Sequence, residues 1–143
     1  MSEYSEKQFE EFRVGDKASY TKTFTQEDLD LFVKLTGDAH PAHCDEEYAR
    51  RSTYGRRVVH GMLTASLLST TNGLLLQTPG AVSIEQTVRF LRPVFIGDTI
   101  TATSEVIRLI PERRWLRCRT TCTNQHGEEV LVGEALEGKS GIS

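Results

Sequence analysis

The chain has 143 residues, of which 38% are hydrophobic and 26% charged, and 17 Lys and Arg against 20 Asp and Glu leave a formal charge of −3. That length is one domain's worth, and a chain of this size buries roughly two-thirds of its unfolded surface without needing disulfides or metals to hold it together. The composition excludes a disordered chain, and the charge balance supplies no basic field to gather nucleic acid.

The three cysteines, Cys44, Cys118 and Cys122, are an odd number with no CxxC spacing, which suits a reducing compartment. Met1–Glu11 has no apolar stretch for a signal peptide, and no apolar run approaches the roughly 20 residues of a membrane span. The expectation is a cytoplasmic protein without membrane attachment. It forms a single domain over residues 1–143, with its core between about 12 and 137.

Phe12–Asp16 reads as a turn, and Lys17–Phe24 as a short strand. Thr25 before Gln26, Glu27 and Asp28 places an N-cap oxygen and early acids at the positive end of a helix with Leu29, Phe32, Val33 and Thr36 on its inward stripe. Gly37 ends that helix. Pro41 opposes a helical conformation at His40, so Gly37–His43 is expected to be loop, with Asp45 capping one or two turns through Arg51.

A second helix is expected from about His60 to Leu76. It has no charged face at all, so it belongs inside something. Beyond Pro79-Gly80 the pattern becomes strands: Ile84–Phe90, Thr99–Leu109, Trp115–Thr123 and Glu129–Glu137, with turns at Ile96–Asp98 and Gln125–Gly127. In the third of these, Leu116, Cys118, Thr120 and Cys122 share one face, which makes the two cysteines core filler. Four successive strands predict an antiparallel sheet wrapped around the charge-free helix, an α+β fold. Its free edges favour a homodimer.

The densest polar cluster is Gly37–Asp45. Asp38 and His43 lie five positions apart across the bend, close enough to converge on one water molecule, where a carboxylate and an imidazole can share proton transfer. The plain alternative is that Asp38 caps local amides and the histidines are surface residues. A second cluster, Val58-Val59-His60-Gly61-Met62, runs into the apolar helix. Glycine there permits close approach of a ligand to free helix-start amides, which suit a developing negative oxygen.

Gly37-Asp38-x-x-Pro41-x-His43, followed by Val59-His60-Gly61-Met62 and by Arg92-Pro93-Val94-Phe95-Ile96-Gly97-Asp98, resembles the MaoC-like (R)-specific enoyl-CoA hydratases. The resemblance implies a hotdog fold, in which a five-stranded antiparallel sheet surrounds a central helix. It also implies a dimer, and reversible syn addition of water to trans-2-enoyl-CoA with no cofactor beyond the coenzyme A of the substrate.

By position, Asp38 and His43 look like the catalytic pair, Gly61 like the oxyanion donor, and Ser69 like a hydrogen-bond partner reaching the pair from the helix. His40, His60, Met62, Arg89 and Arg92 look like substrate contacts, with Arg50, Arg51, Arg56 and Arg57 as further candidates for the phosphates. His40 departs from the family's usual asparagine, a change that bears on substrate range.

The alternatives are a hotdog acyl-CoA thioesterase and a non-catalytic acyl-binding subunit. A zinc site on His40, His43, Cys44 and Asp45 lacks the spacing of a preformed one, and no metal is expected.

Overall fold

The computed structural model describes residues 7–77 and 80–139. Six strands, β1 (Lys17–Thr23), β2 (Ala81–Gln86), β3 (Arg89–Phe90), β4 (Thr99–Ile110), β5 (Trp115–Thr123) and β6 (Glu129–Lys139), form one antiparallel sheet in the order β1-β4-β5-β6-β2, and β3 also pairs with β6. Helices α1 (Gln26–Thr36), α2 (Pro41–Cys44), α3 (Glu46–Arg51) and α4 (Gly61–Leu76) complete the fold. The predicted α+β arrangement of a sheet around one long helix is what forms.

The alternation of β4 and β5 determines which face meets α4. Ala102, Ser104 and Val106 of β4, with Leu116, Cys118, Thr120 and Cys122 of β5, are all buried. Both strand cysteines are thus core residues, and burial pushes each thiol up to about 12. The core has two apolar clusters, one with Ala102 and Cys122 against Leu67 and Leu68, the other with Val106 and Cys118 against Leu75 and Leu76.

Ser104 and Thr120 fall between those clusters and carry a polar band across the interior. Thr71 Oγ1 lies 2.7 Å from Ser104 Oγ, which donates to Asn72 Oδ1 at 2.6 Å. Asn72 Nδ2 donates to Gln86 Oε1 at 3.1 Å, and Gln86 Nε2 to Thr120 Oγ1 at 3.0 Å. Because every member has a partner, the band ties α4 to three strands without the cost of an unpaired buried dipole.

Three expectations need correction. Pro41–Cys44 is a turn of helix rather than loop. Proline restrains only the residue before it and is well suited to the first helical position, and His40 caps the turn by accepting from the Ala42 amide through Nδ1.

The strand expected over Ile84–Phe90 is two strands. They are separated at Thr87-Val88, where the Thr87 carbonyl oxygen presses on the space a side chain would take at Gly133.

Finally, α4 is not wholly enclosed. Its Met62, Ser66, Ser69 and Thr70 are exposed, although Thr64, Leu67, Leu68, Thr71, Leu75 and Leu76 are buried. Absence of charge marked a helix packed on the sheet, but the sheet covers only one of its faces.

Candidate active site

The Thr25–Asp28 capping box starts α1, and Gly37 ends it in the left-handed conformation at φ 79°. This turns the chain so that Asp38 leads into α2. The α2 turn is then fastened to the segment before α4. Val58 N–H donates to the Ala42 carbonyl at 3.1 Å, and Arg57 Nε donates to the His43 carbonyl at 2.6 Å. Val59 N–H in turn donates to the Val94 carbonyl at 2.7 Å, tying the same segment to the strand side.

Two ring contacts define the chemistry of the histidines. His43 Nδ1 lies 2.7 Å from the Val58 carbonyl, which only accepts. Nδ1 therefore carries the proton, and Nε2 is left as an open acceptor. His60 is 2% exposed, and its Nε2 lies 3.0 Å from the Asp38 carbonyl. By the same logic Nε2 is protonated there, and Nδ1 is enclosed without a partner.

The two imidazoles stack at 3.8 Å with 22° between their planes, and Phe32 packs on His60 at 4.7 Å. Burial holds His60 below the usual imidazole range. The bond to the Asp38 carbonyl opposes that shift, and the neighbouring His43 adds to it.

Asp38, His43 and His60 bring one carboxylate oxygen and two ring nitrogens within 4.8 Å of one another. His60 Nε2 is committed to the Asp38 carbonyl, and its Nδ1 is enclosed. The zinc set considered from sequence is not gathered: His40 caps α2, Asp45 caps α3 through the Tyr48 amide, and Cys44 is exposed.

A cavity of about 490 Å³ opens on the pair, with Val59, Val94, Val130, His60 and Thr64 as its buried lining and Phe90, Leu91 and Tyr54 nearer solvent. No side chain caps α4, so its first amides, on the lining residues Gly61 and Met62, are donors without an intrahelical partner.

The sequence as a whole has counterparts among known proteins. A family model described as "MaoC like domain" matches residues 11–127. The chain belongs to the MaoC-like family.

It is 43% identical over 127 residues to the (R)-specific enoyl-CoA hydratase of Rhodospirillum rubrum, covering 89% of this chain and 88% of that one. It is 44% identical to the 3-hydroxybutyryl-CoA dehydratase of Methylorubrum extorquens, covering 90% and 81%. Among solved structures, the unliganded R-hydratase of Pseudomonas aeruginosa superposes with a TM-score of 0.86 at 36% identity, covering 94% of this chain and 86% of that one. The (R)-hydratase of A. caviae also gives 0.86 at 34% identity, with coverage of 91% and 98%. The fold is the hotdog expected from the motifs.

In this MaoC-like chain, Asp38, His43, His60, Gly61, Met62 and Arg92 all border the one cavity. Arg89, His40 and Ser69 do not, nor do Arg50, Arg51, Arg56 and Arg57. Arg89 lies in β3 opposite Val132 and borders a separate hollow with Arg119 and Glu134, because strand alternation sends it away from its neighbour Phe90, whose ring packs beside Gly61. His40 is engaged as the cap of α2 and is exposed. Ser69 is exposed on α4, about 12 Å along the axis from Gly61 at helical rise, and lies outside this cavity.

Sequence reasoning missed Arg57 as a structural element of the site. It is 7% exposed, holding the His43 carbonyl and reaching Glu46 at 3.8 Å. Its only signal was the apolar Val58-Val59 beside it, obscured by the run of arginines.

Proposed function

We propose that this chain hydrates trans-2-enoyl-CoA to (R)-3-hydroxyacyl-CoA, and catalyses the reverse dehydration. The observation that carries the reading is the pairing of two acceptors, the Asp38 carboxylate and His43 Nε2, beside the unpartnered amides at the start of α4. The names of the similar proteins, hydratases and a dehydratase of coenzyme A esters, supply the substrate class.

A water molecule between two acceptors donates a hydrogen to each and turns a lone pair toward the alkene. Its oxygen attacks C3 while the Asp38–His43 pair takes up one O–H proton. Electron density moves through C2 onto the thioester oxygen, where the Gly61 amide and the positive end of α4 stabilise it. The enolate collapses as the pair returns a proton to C2 on the same face, so one O–H bond and the C2–C3 π bond break and one C–O and one C–H bond form. The thioester supplies the activation, and the reading requires no metal or organic cofactor.

The active form is a homodimer in this reading. Support comes from the exposed side of α4 and from the β2 edge of the sheet, where Val82 and Ile84 are about half exposed, as are Phe90 and Leu91 farther along the chain. A cytoplasmic setting agrees with the three cysteines standing free of disulfides. Among the described residues, no helix is long and apolar enough to cross a membrane.

The test is direct. Crotonyl-CoA should lose its enone absorbance without release of thiol, and Asp38→Asn should slow that loss by about a thousandfold while the melting temperature holds. Thiol release in place of hydration would make the protein a thioesterase, and near-normal turnover by Asp38→Asn would remove Asp38 from the mechanism.

A further inference from the structure

Six arginines were candidates for the phosphates of coenzyme A, and the structure separates them. Arg50 and Arg51 lie on α3 and pair with Glu47. Arg57 is buried on the His43 carbonyl. Arg89 borders a different hollow of the sheet. Two remain beside the catalytic cavity: Arg92 in its wall, and Arg56 in an adjoining one.

That second hollow, about 250 Å³, shares Arg92 and Pro93 with the catalytic cavity and adds Arg56, Phe95, Gln125 and His126. Its construction is specific. The Arg56 guanidinium carbon sits over the Phe95 ring, 3.8 Å from its centroid, and the group has no carboxylate partner among the described residues. Phe95 is held in place by its own amide, which donates to Asp98 Oδ2 at 2.9 Å, and by its bridge to Val58.

Asp98 is buried and engaged, accepting from Phe95 and from Gln125 Nε2, so it does not cancel the Arg56 charge by direct pairing. Arg92 reaches Glu128 at 3.5 Å through an exposed ion pair, which a phosphate can displace at little cost.

We infer that this hollow is the subsite for the phosphorylated nucleotide end of coenzyme A. Arg56 is its principal anion ligand, and Arg92 spans the boundary with the catalytic cavity. The inference rests on the acyl-CoA reading above and names the part of the ester that reading leaves unassigned. A guanidinium already laid on an aromatic plate loses little freedom on binding, and its edge N–H groups stay open to phosphate oxygens.

The experiment compares two substrates with the same acyl group: crotonyl-CoA, and the crotonyl thioester of N-acetylcysteamine, which has the reacting end and no phosphate. Arg56→Ala should raise the KM for crotonyl-CoA about tenfold at unchanged kcat, and leave the kinetics of the short ester as in the wild type. Arg56→Lys should recover part of the loss.

A fall in turnover of both esters by the same factor, or of neither, would overturn the subsite while leaving the hydratase reading intact. Wild-type protein inactive on both esters would instead overturn that reading. A KM increase confined to an acyl-carrier-protein ester would reassign the arginine to a protein partner and also overturn the inference.

Discussion

In our reading, His60 organises the Asp38–His43 pair without touching the reacting atoms. Its Nε2–H grips the Asp38 carbonyl, its ring lies under His43, and its main chain begins the helix whose amides face the cavity. It was read from sequence as a substrate contact, and its burial makes it a positioning residue in our reading. Gln has an N–H at the reach of Nε2, so His60→Gln should keep kcat within about tenfold of wild type. His60→Leu should lower it about a hundredfold with little change in KM. Equal losses in the two variants would dismiss the hydrogen bond as the cause.

A pH readout accompanies that comparison. The His60 pKa is held below its ordinary value of 6.5, mainly by burial. Below that pH the unfolded chain therefore binds a proton that the folded chain resists, and wild-type stability falls as pH drops. This contribution to the slope should vanish in His60→Gln, as measured by denaturant melts between pH 7 and pH 5.

At the scale of elements, long strands were readable because β4 and β5 alternate cleanly, and α1 because Thr25 and Gly37 mark its two ends with local chemistry. The break between β2 and β3 was not readable. It depends on Gly133, a residue far along the chain, whose missing side chain makes room for the Thr87 carbonyl. The kink is bonded there too: Thr87 N–H donates to the Glu134 carbonyl at 2.9 Å, and Glu134 N–H to Thr87 Oγ1 at 3.0 Å. Gly133→Ala should force the strands apart and cost about 3 kcal/mol in a urea melt, with the largest loss of amide protection in β2 and β3. A loss below about 0.5 kcal/mol would show that the backbone yields easily.

For the molecule as a whole, the surface left open by one chain is more informative than the part it closes. The β2 edge with Val82 and Ile84, the hydroxyl-rich side of α4 with Ser66, Ser69 and Thr70, and Phe90 and Leu91 of the cavity lining are all exposed, with Glu85 the one charge on β2. In the dimeric reading, a charge placed there should separate the copies. Ile84→Lys should halve the mass seen by light scattering and lower turnover at least tenfold, with activity recovering as protein concentration rises. Full activity in a monomeric variant would show that each chain works alone. Ser69 belongs to this same exposed face, so in the dimeric reading any part it plays would run through the second copy.

What the sequence determined by itself was what local chemistry can encode: the helix caps, the strand alternation, the placing of Asp38 and His43 about one proline-stiffened bend and the glycine at the helix start. Each rests on residues within a few positions of one another. Tertiary structure decided the rest. It set Arg92 in the cavity wall and Arg56 in the adjoining hollow, turned Arg89 to a different one, buried Arg57 and stacked His60 beneath His43. These outcomes depend on which segments meet across the sheet, and contacts between distant segments leave no periodic mark along the chain.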